Sequence, residues 1–236
     1  MKRWLAALCG DPDLACAADP SQLTLYGSAA DPSTVAWGIL ASEPALARLR
    51  WSAEASAWVA ERVWSFASHI HSVHKDYAQP PFAIRPELYP VGPHRWGVAL
   101  VQTVEEAYSG GGATFEIADF VSLSETAPSF APVFRDVPLS CSKMVRACFS
   151  EADYRRLAVN CHDLYDGSLT FSYTPGASPD RYEWTAVWHE RDQGQGIPQS
   201  QAVTTKQRVR MPQDTTDVAH AFRSVSFCGG GPVEAE

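Results

Sequence analysis

Apolar residues recur at offsets of three and four between positions 53 and 74, which is the spacing of one helix face. At about 100° per residue, side chains at this spacing point in nearly one direction. The stripe consists of Val59, Val63, Phe66, Ile70 and Val73. The pattern predicts one long amphipathic helix from Ala53 to His74. Helix-start signals at Asp31-Pro32 and at Ser42-Glu43-Pro44 predict further helices before it.

From Trp96 onward, apolar and polar residues alternate, as is typical of strands. Trp96–Tyr108 and Ala113–Leu123 flank the glycine-rich loop 109–112, which predicts an antiparallel hairpin. If that loop is symmetric, residues whose numbers add to 221 face each other. Further strands are predicted over 169–174, 182–189 and 203–211. Helices followed by hairpin-linked strands predict an α+β fold, with the N-terminal helices packed on a mainly antiparallel sheet.

The predicted hairpin register gives three carboxylates distinctive neighbours. Asp119 faces Gln102 within the apolar face, where a carboxylate is costly unless it is hydrogen-bonded or paired. We therefore interpret Asp119 as a satisfied structural group or as part of a cavity. On the other face Glu105 opposes Glu116. Two close carboxylates can serve as acid and base or bind a hard cation, whereas on a solvated face screening leaves them inert.

The strand predicted over 182–189 places large aromatic side chains on one side. Tyr182, Trp184 and Trp188 alternate along it, with Ala186 between the tryptophans. An exposed aromatic row can stack sugars or peptides, while a buried one belongs to the core. The three aromatic residues are the candidate ligand-binding residues.

Three histidines follow one another at the predicted helix end. His69, His71 and His74 resemble in spacing the His-x-His-x-Asp-His zinc motif of the metallo-β-lactamase superfamily, but Val73 stands where that motif has its aspartate. On a helix, His69 and His71 would point about 160° apart and could not converge on an ion. The prediction is therefore three ordinary histidines near a helix C-terminus and no metal site.

The N-terminus resembles an interrupted export signal. Lys2 and Arg3 precede the short apolar run Leu5–Leu8, and Ala15-Cys16-Ala17 has the form of a signal-peptidase site. Asp11-Pro12-Asp13 breaks the run. We expect a leader-like segment over 1–20, a single α+β domain over 21–228 and a disordered tail over 229–236, with the protein periplasmic or secreted.

Export would allow the cysteines to form disulfides, which persist outside the reducing cytosol. The sequence has six cysteines, of which Cys141, Cys148, Cys161 and Cys228 lie in the C-terminal half. Their spacings do not match the short Cys-x(2–4)-Cys pairs of structural zinc sites. We expect Cys141 to pair with Cys148, which requires a turned segment between them, and Cys161 to pair with Cys228. The second bond would close a long loop and contribute about 4 kcal/mol.

Charge and hydropathy narrow the classes of function. The net charge of −8 disfavours nucleic-acid binding, which requires an excess of lysine and arginine. After the N-terminus no uninterrupted apolar run approaches the roughly 18 residues of a membrane span, so no integral membrane segment is expected. The sequence lacks the common nucleotide, dinucleotide and hydrolase signatures, and we predict no cofactor.

Two functional hypotheses remain. The first is an exported, disulfide-stabilised binding protein of the inhibitor or immunity-like kind, with a protein partner or with a polysaccharide or peptide as its ligand. The alternative is a hydrolase acting on an exported polymer, with hairpin carboxylates and a histidine as acid and base. Its candidate catalytic residues are Glu105, Glu116, Asp119 and His162, with His94 as a second histidine.

Overall fold

The computed structural model describes residues 23–26, 35–40, 44–54, 56–69, 82–156 and 160–230, which form two antiparallel sheets. The smaller sheet has four strands in sequential order, joined as a meander. Its strands are β1 (Leu23–Tyr26), β2 (Ala36–Leu40), β3 (Ala45–Ser52) and β4 (Ala57–Ser65).

The larger sheet has eight strands in the order β12-β11-β10-β9-β8-β7-β5, with β6 pairing to β7 beside β5. The strands are β5 (Phe82–Ile84), β6 (Tyr89–Gly92), β7 (Arg95–Tyr108), β8 (Gly111–Leu123), β9 (Phe130–Arg146), β10 (His162–Pro175), β11 (Tyr182–Gln193) and β12 (Val203–Arg210). Two short helices, α1 (Glu151–Arg156) and α2 (Ala219–Phe222), follow β9 and β12. Within the described part of the chain, no helix is long and apolar enough to cross a membrane.

The predicted α+β fold with a long amphipathic helix is wrong. Residues 57–65 form strand β4, and the apolar residues of the predicted helix face lie on both sides of the small sheet. The strand contains a β-bulge: Arg62 pairs with Arg48 and Ala60 with Leu49, so Glu61 has no cross-strand partner on β3, although its carboxylate forms ion pairs with Arg48 and Arg50. Val63 packs on one side of the small sheet, whereas Phe66, just beyond the strand, packs on the other. The sequence pattern had assigned these two residues to a single helix face.

The other predicted N-terminal helices are also replaced by strands where the chain is described. Residues 36–40 form β2 and residues 45–52 form β3. The predicted helix-start residues 31–32 and 42–43, and the end of the predicted long helix at 70–74, lie outside the described residues. The leader-like segment 1–20 lies outside them as well.

The predicted hairpin forms between β7 and β8, but its register differs by two residues. Tyr108 pairs with Gly111, so partner numbers add to 219 instead of 221. The turn is therefore tighter than the symmetric four-residue loop that the sequence predicts. A shift of two residues keeps every side chain on its predicted face while changing its direct partner.

The large sheet is strongly curled around an aromatic core. The Trp184 ring on β11 lies 5.2 Å from those of Phe120 on β8 and Phe134 on β9, and 5.5 Å from Phe171 on β10. Side chains of strands that are not neighbours could not meet in this way on a flat sheet. The Trp184 indole N–H also donates a hydrogen bond to the Pro90 carbonyl in β6, 3.1 Å away.

The small sheet covers the opposite side of the β7–β8 hairpin. Ile39, Leu46 and Trp64 pack there against Val98 and Val121 in a second buried cluster. The described residues therefore form one core inside the curl of the large sheet, a second between the two sheets, and a third apolar cluster on the other face of the small sheet.

Candidate functional site

Glu105 and Glu116 lie on a polar face of the large sheet and are not directly opposed. Glu105 pairs with Thr114, and Glu116 pairs with Thr103 and accepts a 2.7 Å hydrogen bond from the Ser140 hydroxyl. Two cross-strand rows on this face are wholly polar: Thr103, Glu116, Ser140, Ser168, His189 and Lys206; and Glu105, Thr114, Ser142, Asp166, Arg191 and Thr204. The predicted direct opposition of the two glutamates is wrong because of the shifted register.

Asp119 lies on the opposite side of the hairpin and is fully buried between the two sheets. One carboxylate oxygen lies 2.9 Å from His69 Nε2, and the other accepts a 2.8 Å hydrogen bond from the Asp136 backbone N–H. The rings of Phe82 and Phe130 pack edge-on against the His69 imidazole. Asp119 therefore joins the chain after β4 to the large sheet in a water-poor environment. Its direct strand partner is Leu100, not the predicted Gln102.

The histidines considered as catalytic or metal-binding candidates do not lie together in the described structure. His162 begins β10 opposite Arg146, and His94 adopts a positive φ of 55° between β6 and β7. His71 and His74 lie outside the described residues. The structure therefore places His162 on a different strand pair from Asp119 and does not gather the four catalytic candidates at one place. In the described chain, no group of three or more potential ligands is arranged to hold a metal ion.

Two of the three aromatic residues predicted to bind ligand belong to the core. Trp184 and Trp188 are 1% and 0% exposed, while Tyr182 is half-buried. The Trp188 ring lies directly over Gly167 on the neighbouring strand, where any larger residue would collide with it. An exposed aromatic row along β11 therefore does not form.

Beside Trp188, the buried carboxylate of Glu190 collects three N–H donors. It accepts hydrogen bonds from the Trp188 indole at 2.8 Å and from the backbone of Cys228 and Gly229 at 3.0 and 2.9 Å. This site ties the C-terminal segment to β11. Alternation along β11 places Glu190 on the inward face but does not show which donors meet it, so this site is not predictable from the sequence pattern. The bonded chain extends to Gly230, two residues into the predicted tail, and residues 231–236 lie outside the description.

The four C-terminal cysteines form disulfides, but the predicted partners are wrong. Cys141 bonds to Cys228, and Cys148 bonds to Cys161. Cys148 and Cys161 lie where the chain leaves β9 and approaches β10, and the Ala147 N–H donates a 2.9 Å hydrogen bond to the Cys161 carbonyl. Cys141 instead faces the interior of the curl. Strand pairing thus sets the connectivity.

Two further carboxylates, those of Asp163 and Asp192, lie close to Glu190. Burial, together with the neighbouring negative charges of Asp163 and Glu190, raises the pKa of Asp192 above its ordinary value. Asp163 accepts a 2.8 Å hydrogen bond from the Gln195 backbone N–H. The negative charges of these three carboxylates repel one another, which destabilises the folded state at this end of β11.

At the other end of β11 the rim of the curled sheet opens into a concave groove of about 270 Å³. We call it the arginine groove, because Arg95 and Arg181 line it. Val91, Phe134 and Trp184 supply its apolar floor, and Tyr182 and Asp214 also line it. Its remaining walls come from Ser122, the β9 residues 131–133 and the segment 212–216. Of the predicted ligand-binding residues, Tyr182 and Trp184 therefore do contact a cavity.

Each arginine of the groove is anchored by one backbone acceptor. Arg95 Nη1 lies 3.3 Å from the Asp180 carbonyl, and Arg181 Nη1 lies 3.0 Å from that of Gln213. Neither forms an ion pair with a described residue. A guanidinium has five N–H donors in a planar fork, so most donors of both side chains remain free for a ligand. This arrangement suits a carboxylate attached to an apolar group.

Two further cavities are less polar. One of about 620 Å³ lies between the β8–β9 strands and α2, and its only charged lining residues among those described are Asp136 and Arg223. The other, of about 270 Å³, lies at the junction of the two sheets beside Trp37 and Arg85.

No family model, curated protein or solved structure matches this chain.

Proposed function

We propose that this protein is an exported, disulfide-stabilised binding protein that holds a carboxylate-bearing segment of a protein partner in the arginine groove. The observation that carries the proposal is the pair of guanidiniums, Arg95 and Arg181, which line one concave site and lack ion-pair partners among the described residues. Planar bidentate donors favour carboxylates over neutral groups. The apolar floor would bury the side chain or backbone that carries the acid.

Export is supported by the cysteines. All four cysteines in the described chain are disulfide-bonded. Such bonds persist in oxidising compartments and are reduced in most cytosols. Non-reducing peptide mass spectrometry on protein taken from its native cell tests this part of the proposal. Linked Cys141–Cys228 and Cys148–Cys161 peptides would support export, and free thiols would contradict it.

The hydrolase alternative has weaker support. Asp119 does have a histidine at hydrogen-bond distance, but both side chains are almost completely buried, with exposures of 0% and 6%. Neither residue lines any of the three cavities described above. A general acid or base must reach the proton that it transfers, and the imidazole of this pair is covered by the rings of Phe82 and Phe130.

Calorimetric titration with a small blocked peptide tests the groove directly. The probe is N-acetyl-Leu-Glu amide, and its control is the isosteric N-acetyl-Leu-Gln amide. We expect the glutamate peptide to bind at least tenfold more tightly, because a charge-assisted hydrogen bond contributes about 1.5–3 kcal/mol. Equal binding of the two peptides, or binding of neither, would refute the proposed ligand class.

Matched variants locate the binding to the groove. Arg181→Gln is expected to weaken binding of the glutamate peptide about tenfold or more, whereas Arg223→Gln removes the same charge outside the groove and should have little effect. Asp214→Asn removes the one acidic residue among the described groove lining. It should tighten binding of the glutamate peptide two- to threefold, because a negative charge that repels the carboxylate of the peptide is lost. If Arg223→Gln weakens binding as much as Arg181→Gln, net charge alone controls the affinity.

A further inference from the structure

Strand β12 forms one edge of the large sheet and pairs with β11 alone. The Met211 N–H donates a 3.0 Å hydrogen bond to the Trp184 carbonyl. This bond shows which β12 residues form hydrogen-bonded pairs with β11 and which do not. In an antiparallel pair, hydrogen-bonded and non-hydrogen-bonded positions alternate. Counting back in steps of two, Val209, Gln207 and Thr205 direct their backbone groups toward β11. Thr204, Lys206, Arg208 and Arg210 direct theirs outward.

The outward backbone groups have no partner among the described residues. Outside the β11–β12 ladder, no backbone hydrogen bond joins Thr204, Lys206 or Arg208 to another described residue, and within that ladder these three occupy the non-hydrogen-bonded positions. All three residues are exposed. A row of unpaired N–H and C=O groups at a sheet edge is a template for one more strand.

The side chains at this edge define the charge of a matching strand. Lys206 and Arg208 lie on the polar face and form no ion pair with any described residue. Arg210, one step further, is paired with Glu183 at 2.8 Å. Opposite charges across a strand pair are favourable and like charges are unfavourable. The edge therefore complements a strand with acidic residues at every second position.

We infer that β12 accepts an extended acidic segment of a partner protein as an additional strand of the sheet. The added strand would exchange backbone hydrogen bonds with Lys206 and Arg208 and place its acidic side chains opposite theirs. Its alternate side chains would face the other side of the sheet, next to Gln207 and Val209. None of these residues lines the arginine groove, so this inference does not depend on the proposed groove ligand.

Amide hydrogen exchange measured by NMR tests strand addition at single residues. The probe is the blocked peptide acetyl-Glu-Val-Glu-Thr-Glu-Val-Glu-amide, and the control has the same composition with its glutamates adjacent. In the free protein, the Lys206 and Arg208 amides should exchange rapidly, while those of Thr205 and Gln207 are already protected by β11. Saturation with the alternating peptide should slow exchange at Lys206 and Arg208 at least tenfold.

Two variants separate strand addition from simple charge attraction. Arg208→Pro removes an outward N–H that makes no bond within the sheet, so the edge tolerates it. It should weaken the alternating peptide at least tenfold. The Lys206→Glu/Arg208→Glu variant keeps every N–H and is expected to prefer the corresponding lysine peptide. It provides the test should the proline variant fail to fold.

Three outcomes would overturn the inference. Binding without protection at Lys206 and Arg208 would mean surface attraction alone. Equal affinity for the control peptide would mean that alternation is not recognised. Concentration-dependent protection of the same amides without peptide would assign the edge to a second copy of this chain. Arg181→Gln should leave the exchange result unchanged, so failure of the groove proposal and failure of this one can be distinguished.

Discussion

The two ends of strand β11 use polar groups in opposite ways. At its C-terminal end Glu190 accepts three N–H donors, and the Cys141–Cys228 disulfide fixes the segment that supplies two of them. At its N-terminal end Arg181 has one backbone acceptor and opens into a groove. We call these the closed end and the open end. A polar group with internal partners stabilises the fold, whereas one with spare donors can bind a ligand.

The largest expected difference concerns the two disulfides. Cys141–Cys228 spans 87 positions and Cys148–Cys161 spans 13. In the chain-entropy model these loops contribute about 4.5 and about 3 kcal/mol. Urea unfolding of the Cys141→Ser/Cys228→Ser and Cys148→Ser/Cys161→Ser variants should show the larger loss for the first pair. A larger loss for the second pair would mean that the closed end is held mainly by its hydrogen bonds.

The same type of substitution at the two ends should affect the free energy of unfolding differently. Glu190→Gln replaces one buried acceptor oxygen with a donor, leaving at least one N–H unsatisfied, and should cost about 2 kcal/mol. Arg181→Gln changes an exposed side chain and should alter the free energy of unfolding by no more than about 0.5 kcal/mol. Chemical denaturation of both variants checks this. Equal losses would make Arg181 a structural residue and remove the distinction between the ends.

The smallest effect is expected from the acidic cluster at the closed end. Burial, Asp163 and Glu190 raise the pKa of Asp192, so the folded state holds this proton more tightly than the unfolded chain. Ionisation of Asp192 therefore lowers stability as pH rises through its folded pKa. Asp192→Asn should raise the unfolding midpoint slightly at pH 7.

The pH dependence of that gain provides the control. As pH falls below the ordinary aspartate value of 3.8, Asp192 is protonated in both the folded and unfolded states. The difference between wild type and Asp192→Asn should then vanish. A gain that persists unchanged at low pH would show that the asparagine acts through packing or hydrogen bonding and not through charge.

The sequence predicts the part of the large sheet where alternation is regular, but it does not predict the longest strand, β9 (Phe130–Arg146). The β7–β8 hairpin and the strands β10, β11 and β12 were expected near their observed positions. The segment 57–65 was misassigned because apolar residues from both faces of β4, such as Val63 on one face and Phe66 beyond its end on the other, fall by chance at offsets of three and four. Periodicity alone cannot separate such a strand from a helix over so short a segment.

The candidate sites were harder to predict, because they are assembled from distant segments. The donors to Glu190 come from positions 188, 228 and 229, and the arginine groove combines residues from 91 to 216. The two-residue change in hairpin register also separated Glu105 from direct opposition to Glu116. The first two arrangements depend on how the sheet curls and the third depends on the length of the β7–β8 turn, and alternation encodes neither.

We propose that the open end of β11 binds a carboxylate through its free guanidinium donors. The most direct test follows the arginine Nε–Hε signals by NMR during titration with N-acetyl-Leu-Glu amide. Carboxylate binding in the groove should produce saturable shifts for Arg95 and Arg181, a matching shift for the Trp184 indole N–H, and no saturable shift for Arg223. Similar weak shifts at all exposed arginines, without saturation, would contradict it.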